Sequence, residues 1–210
     1  MDELSRVAFA VGGTDSACSD LCLELSKRGY NVCLMDYGIG AQSNNQSGAK
    51  NSAGPVEFIF PAEKFSSSEL SISIVDTAER YGGVDTLIYQ YCPRTEQTNI
   101  DMLLDIDERD WDDAMDSGAK GFFLACKFIL PYLINRPGSV IIVLKTRSPL
   151  PSEARLTEYV AARALEASLE HMSQEVSQYG ISIIQKEIDS EREWMSEILT
   201  ELAVLRKSSS

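Results

Sequence analysis

Gly12 and Gly13 close a short apolar run, Val7 to Val11, and Asp36 closes a second, Val32 to Met35. Between them Leu21, Cys22 and Leu25 recur at helical spacing within Cys18 to Lys27, and Gly29 supplies a stop signal. A bare glycine turn between strand and helix lets phosphate oxygens reach backbone N–H groups. Strand, glycine turn, helix, strand and terminal acid is therefore the layout that opens a dinucleotide-binding sheet. Two other groups could do chemistry. Cys18 and Cys22 stand four apart on the predicted helix, a spacing that could seat a metal, but no second ligand pair lies nearby and packing is the expected role. His171 is the single histidine. No Ser-His-Asp or metal-ligand set can be built around it, so a surface or interface position is expected.

The elements that position these residues alternate. Strands are predicted at Val7–Val11, Val32–Met35, Val56–Phe60, Val84–Tyr91, Ser139–Leu144 and Ile181–Ile188. Helices are predicted at Cys18–Lys27, Ser66–Arg80, 109–134, 158–178 and Glu191–Arg206. Such alternation means a parallel sheet covered by helices on both faces. Gly38 to Gly54 and Cys92 to Asp107 are loops. No repeat or linker divides residues 1–210, so one domain is expected. The chain has 210 residues, 44% of them hydrophobic and 24% charged, as in a soluble globular protein. Its 19 basic and 32 acidic residues give a net charge of −13, which repels nucleic-acid backbones and anionic lipid. No apolar run approaches the roughly 20 residues of a membrane span. The start, MDELSRVAFAV, carries acids where a signal peptide carries bases, so a cytoplasmic location is expected. The 5 cysteines lie mostly in apolar segments and read as free buried thiols.

Four stretches, in order, carry a likeness to a known family. They are RVAFAVGGTDSACSDLCLELSKRGYNV, RYGGVDTLIYQY, WDDAMDSGAKGFFLACKFILPYL, and GSVIIVLKT followed by YVAARALEASLEHMSQE. Together they resemble the short-chain dehydrogenase/reductase family over nearly the whole chain. The resemblance implies an α/β, Rossmann-like doubly wound parallel sheet of about six strands with helices on both faces. The chain is expected to be shortened at the C-terminus, where family members continue into a substrate lobe and a final strand.

The resemblance also assigns positions. Gly12 keeps the first glycine of the family's turn, while Ser16 and Cys18 replace the second and third, and Asp15 brings negative charge. Asp36 stands where the family's NAD-selecting acid accepts from the ribose diol; facing water is its equally weighted alternative. The adenine-contacting acid aligns with Phe60 or, nearby, Glu63. The Asn-Asn-Ala-Gly turn becomes Tyr89-Gln90-Tyr91-Cys92, whose tyrosines are expected to fill the ribose space. Of the family's Ser, Tyr, Lys and Asn set, Tyr159 is kept as acid/base. Thr146, thirteen residues earlier, stands for serine, Arg163 replaces lysine and Gly118 replaces asparagine. Arg163 shares a helical face with Tyr159, but a guanidinium does not relay protons as an ammonium does. Ile188-Asp189 replaces the Pro-Gly pair that leads into the family's lid. No metal is expected.

These replacements imply a relict site with catalysis and cofactor binding lost. The family also packs its two long helices, here 109–134 and 158–178, against a second subunit. Ala161, Ala162, Ala164, Ala167 and Ser168, with Phe122, Phe123, Phe128 and Leu165, would then lie at that interface. The expectation is a non-catalytic subunit that dimerises with itself or supports a catalytic relative holding NAD. It is similar in this to the degenerate subunit of the benzylsuccinate-pathway hydroxyacyl-CoA dehydrogenase. Two alternatives stay open. One is an active NAD-dependent oxidoreductase using Tyr159, Thr146 and Asp36, with Arg163 in lysine's place. The other is a binding module whose tyrosines stack on a flat ligand.

Overall fold

A strand buried on both faces needs apolar residues at successive positions, and three segments satisfy this. VAFAVG, TLIYQY and VIIVLK form β1 (Val7–Gly12), β4 (Thr86–Tyr91) and β5 (Val140–Lys145), each buried throughout. The computed structural model describes residues 6–12, 17–36, 56–59, 66–91, 103–146, 155–188 and 193–207. The remaining strands are β2 (Asn31–Asp36), β3 (Val56–Ile59) and β6 (Ser182–Glu187). All pair in parallel, in the order β3-β2-β1-β4-β5-β6. This is a Rossmann-like sheet, and its order reverses between β1 and β4. Open sheets of this kind carry their crevice at that switch point, beyond the strands' C-terminal ends.

Alternation along the strands builds two cores. Val7, Phe9, Val11, Leu87 and Tyr89 face α2 (Ser67–Tyr81), α4 (Ala119–Leu133) and α5 (Leu156–Ser177). Ala8, Ala10, Ile88 and Ile142 face α1 (Ala17–Lys27) and α6 (Glu193–Lys207). Ser66 caps α2, its hydroxyl accepting from Glu69 N at 3.3 Å. Gly82 ends that helix at φ 74°, a left-handed turn that glycine adopts without strain. Cys18, Cys22, Cys33 and Cys126 are buried, and burial pushes the Cys126 thiol up.

Periodicity predicts one helix over 109–134, but the chain forms two. α3 (Glu108–Ser117) and α4 part at Gly118, whose ψ of −118° leaves the helical region. A Cβ at Gly118 would lie 2.9 Å from the Ala114 carbonyl oxygen and 3.2 Å from Ala161 Cβ. Glycine thus permits α5 to approach the break closely. The apolar pattern runs across the break because both helices pack toward the same core, so periodicity alone does not register it.

At the strands' N-terminal edge, the fully buried Asp85 accepts from Val7 N at 2.8 Å and from the Thr86 hydroxyl at 2.9 Å. Arg206 of α6 reaches within 3.7 Å of the same carboxylate while its guanidinium stacks 4.5 Å from the Tyr30 ring. Burial, then the nearby Arg6, lowers the Arg206 pKa to about 10.

Candidate functional site

The register sets the strand ends side by side. Gly12 pairs with Asp36, Tyr91 with Lys145, and Lys145 with Glu187. At the switch point, a Cβ placed on Gly12 would lie 3.0 Å from Cys18 Cβ, 3.1 Å from Cys18 Sγ and 3.1 Å from Gln90 Cβ. The Gln90 carboxamide oxygen accepts from Cys18 N at 2.6 Å, in the first turn of α1. One of the four amides that a helix N-terminus leaves open is thereby satisfied from within the chain. Dinucleotide-binding members of this fold keep bare backbone at this crossing. Here the fully buried Cys18 side chain and the buried Gln90 side chain occupy the crossing between β1, β4 and α1 instead. Gly13, Asp15, Ser16, Phe60, Glu63, Cys92 and Asp189 lie outside the described residues. Asp36 ends β2 level with Gly12.

The two tyrosines go elsewhere than expected. On β4, Leu87, Tyr89 and Tyr91 point to the α4 and α5 side, and Gln90 points to α1. Tyr89 is fully buried and packs edge-on against Phe122, with centroids 5.4 Å apart. Its hydroxyl donates to the Ser117 carbonyl at 2.6 Å and lies 3.1 Å from that of Gly118. Tyr89 therefore closes the α3–α4 break. The Tyr91 hydroxyl donates to the Glu158 carbonyl in the first turn of α5 at 3.3 Å. Sequence reasoning gave the blocking role to the tyrosines; the side chain at the α1 turn belongs to Gln90.

On α5 the structure brings Tyr159 and Arg163 together. The Arg163 guanidinium lies 5.4 Å from the Tyr159 ring centroid and donates to Glu166 Oε2 at 2.8 Å. Hydrogen bonding to Glu166, then to Tyr159, raises the Arg163 pKa. The other Glu166 oxygen accepts from Lys145 Nζ at 3.0 Å, and Glu187 lies 3.9 Å from the same ammonium. Lys145 is buried at the end of β5, immediately before the half-buried Thr146. Sequence reasoning missed Lys145 and Glu166. The available signal was a lysine ending an otherwise apolar strand, a residue that is rarely buried unless paired. Tyr159 thus sits beside a chain of alternating charge, Arg163, Glu166, Lys145 and Glu187, that ties α5 to β5 and β6. His171 is exposed, as expected. A cleft of about 360 Å³ lies at the opposite, N-terminal end of the strands, lined by Gly82, Gly83, Tyr132 and Arg136 among others. Gly12, Asp36, Thr146, Tyr159 and Arg163 are not among its lining residues.

Sheet order, switch-point crossing and the Tyr159 helix together define a class, and the comparisons agree. The model of the short chain dehydrogenase family matches residues 6–186, and the chain belongs to that family. Among curated relatives, the 3-oxoacyl-[acyl-carrier-protein] reductase of Staphylococcus epidermidis is 22% identical over 161 residues, 77% of this chain and 64% of its own length. The chain thus spans under two thirds of that relative. The Staphylococcus aureus enzyme of the same name is 21% identical over 182 residues, 86% of this chain and 72% of its own. Among solved structures, NADH-dependent reductase A1-R' complexed with NAD superposes at a TM-score of 0.67 and 19% identity. That match covers 90% of this chain and 81% of the reductase. A short-chain dehydrogenase/reductase from Serratia marcescens gives a TM-score of 0.70 at 15% identity, covering 88% and 74%. Among the described residues, no helix is long and apolar enough to cross a membrane.

Proposed function

We propose that this chain is a non-catalytic subunit that supports a catalytic short-chain relative, with NAD held by that partner. The partner's reaction is NAD-dependent oxidation of an alcohol or hydroxyacyl-CoA. The observation that carries the reading is the bond from Cys18 N to the Gln90 oxygen at 2.6 Å. It fills the α1 turn with the chain's own atoms. Gly118 in place of asparagine, its carbonyl engaged by Tyr89, and Arg163 bound to Glu166 support the same reading.

The partner is proposed to pack against α4 and α5. Phe123 and Leu156 face outward there, with Lys127 lying 5.9 Å from the Phe123 ring centroid. Ala161, Ala162, Phe122 and Leu165, expected at that interface, are instead buried within the protomer. The contact surface is correspondingly narrower than the sequence suggests.

Titration calorimetry with NAD tests the reading. No heat is expected from the chain alone at millimolar cofactor, and co-expression with an intact relative is expected to yield a complex that binds NAD. Saturable binding by the isolated chain overturns it. A second reading, an active oxidoreductase, has one observation in its favour: Arg163 keeps a cation against the Tyr159 ring. It requires NAD binding and NAD-linked turnover that Tyr159→Phe abolishes.

A further inference from the structure

Helix α3 has no buried residue over its 10 positions. In the short 3₁₀ turn before it, Leu103 is 73% and Leu104 94% exposed, and Trp111 on α3 is 39% exposed. Apolar side chains of this size gain nothing from water in the free protomer. The surrounding residues are acidic. The segment LLDIDERDWDDAMDS, residues 103–117, holds seven acids and one arginine, a net −6 of the chain's −13.

The ledge is also held in place. Asp107 caps α3 by accepting from Arg109 N at 2.9 Å, Asp110 pairs at 2.9 Å with Arg155, the residue just before α5, and Asp116 pairs with Lys120 of α4. These contacts fix the helix on α4 and α5 while Leu103, Leu104 and Trp111 remain outward.

An apolar centre ringed by one sign of charge selects a partner with the opposite ring. A second copy of this chain would bring acids against acids, which disfavours self-pairing here. We infer that the 103–117 ledge docks the catalytic relative, and that the relative presents lysines or arginines around an apolar patch. This rests on the subunit role proposed above and deepens it: α3 is the first part of the 109–134 segment expected at the interface, and the inference adds Leu103 and Leu104 before it and the chemistry of the partner's surface.

The test uses the full chain co-expressed with an intact short-chain relative, with the complex quantified by affinity capture and interferometry. Two variant sets are compared with the parent: Leu103→Ser with Leu104→Ser, and Asp105→Asn, Glu108→Gln with Asp112→Asn. All these positions are exposed, so unchanged circular dichroism and urea midpoints are expected of the isolated chains. The leucine set is expected to weaken binding about tenfold or more, as loss of a hot spot does. The charge set is expected to weaken it and to flatten its salt dependence. A complex that forms with unchanged affinity in both sets overturns this inference and leaves the subunit role standing. No complex with the parent chain overturns both. Dimerisation of the isolated chain that the leucine set abolishes assigns the ledge to self-association and overturns the inference.

Discussion

Lys145 and Glu166 form a pair at 3.0 Å between the end of β5 and the middle of α5, and the second Glu166 oxygen holds Arg163 at 2.8 Å. One carboxylate therefore fixes two cations, one on the sheet and one beside Tyr159. Removing a single partner leaves a mostly buried charge, which typically costs ~3–5 kcal/mol. The Glu166 side chain keeps 27% of its exposure, so solvent screens part of that loss. Glu166→Leu is expected to lower unfolding free energy by about 2 kcal/mol. Lys145→Met with Glu166→Leu should recover most of it, because an apolar pair replaces the ionic one. Urea denaturation of the two variants measures the difference; equal losses would count against the pairing.

Gly118 admits no side chain without a shift. Its Cβ would meet the Ala114 carbonyl oxygen at 2.9 Å, a backbone atom that cannot swing aside. Gly118→Asn, which restores the family's residue, is expected to cost ~1–3 kcal/mol, the range for overpacking. A urea midpoint at or above that of the parent chain would show that the break has room.

Tyr89→Phe keeps the ring against Phe122 and deletes the hydroxyl bonded to the Ser117 carbonyl. Loss of such a hydrogen bond is worth about 1–2 kcal/mol. Its effect should concentrate at the α3–α4 break. Hydrogen exchange is expected to accelerate for α3 amides and not for those of β4, so uniform acceleration would contradict the assigned role.

Asp85 gives a pH signature. Burial raises its folded pKa above the ordinary 3.8, against the opposing bonds from Val7 and Thr86 and the charges of Arg6 and Arg136. A carboxyl whose folded pKa is raised binds its proton more tightly in the native state. Its contribution is present at low pH and declines as pH rises from 3.8 through the folded pKa. Asp85→Asn removes this declining part. The stability difference between parent and variant is therefore expected to shift steadily in the variant's favour across that window. Urea midpoints measured at several pH values read it; a constant difference would place the Asp85 titration elsewhere.

The layers were legible in the sequence because they depend on local pattern. Continuous apolar runs marked β1, β4 and β5, and helical spacing marked α1 and α2. The altered positions Cys18, Gly118 and Arg163 were legible too, once aligned to a family. The reach of a side chain across strands was not. Gln90 touches Cys18 across 72 residues, and only the pairing of β4 beside β1, with strict alternation, turns it toward α1. The same alternation sends Tyr89 to the other face. The Lys145–Glu166 pair is hidden for a related reason, because neither residue belongs to a motif and their meeting depends on how α5 lies over β5.

The Asp85 cluster implies a division of labour along the strands. A carboxylate sealed at one end of the sheet, with Arg206 clasped between it and Tyr30, anchors the last turn of the closing helix away from the crevice. Substitutions at the crevice end do not touch that anchor. The two ends of a single strand thus carry separate ties, Asp85 at the foot of β4 to α6 and Gln90 at its tip to α1.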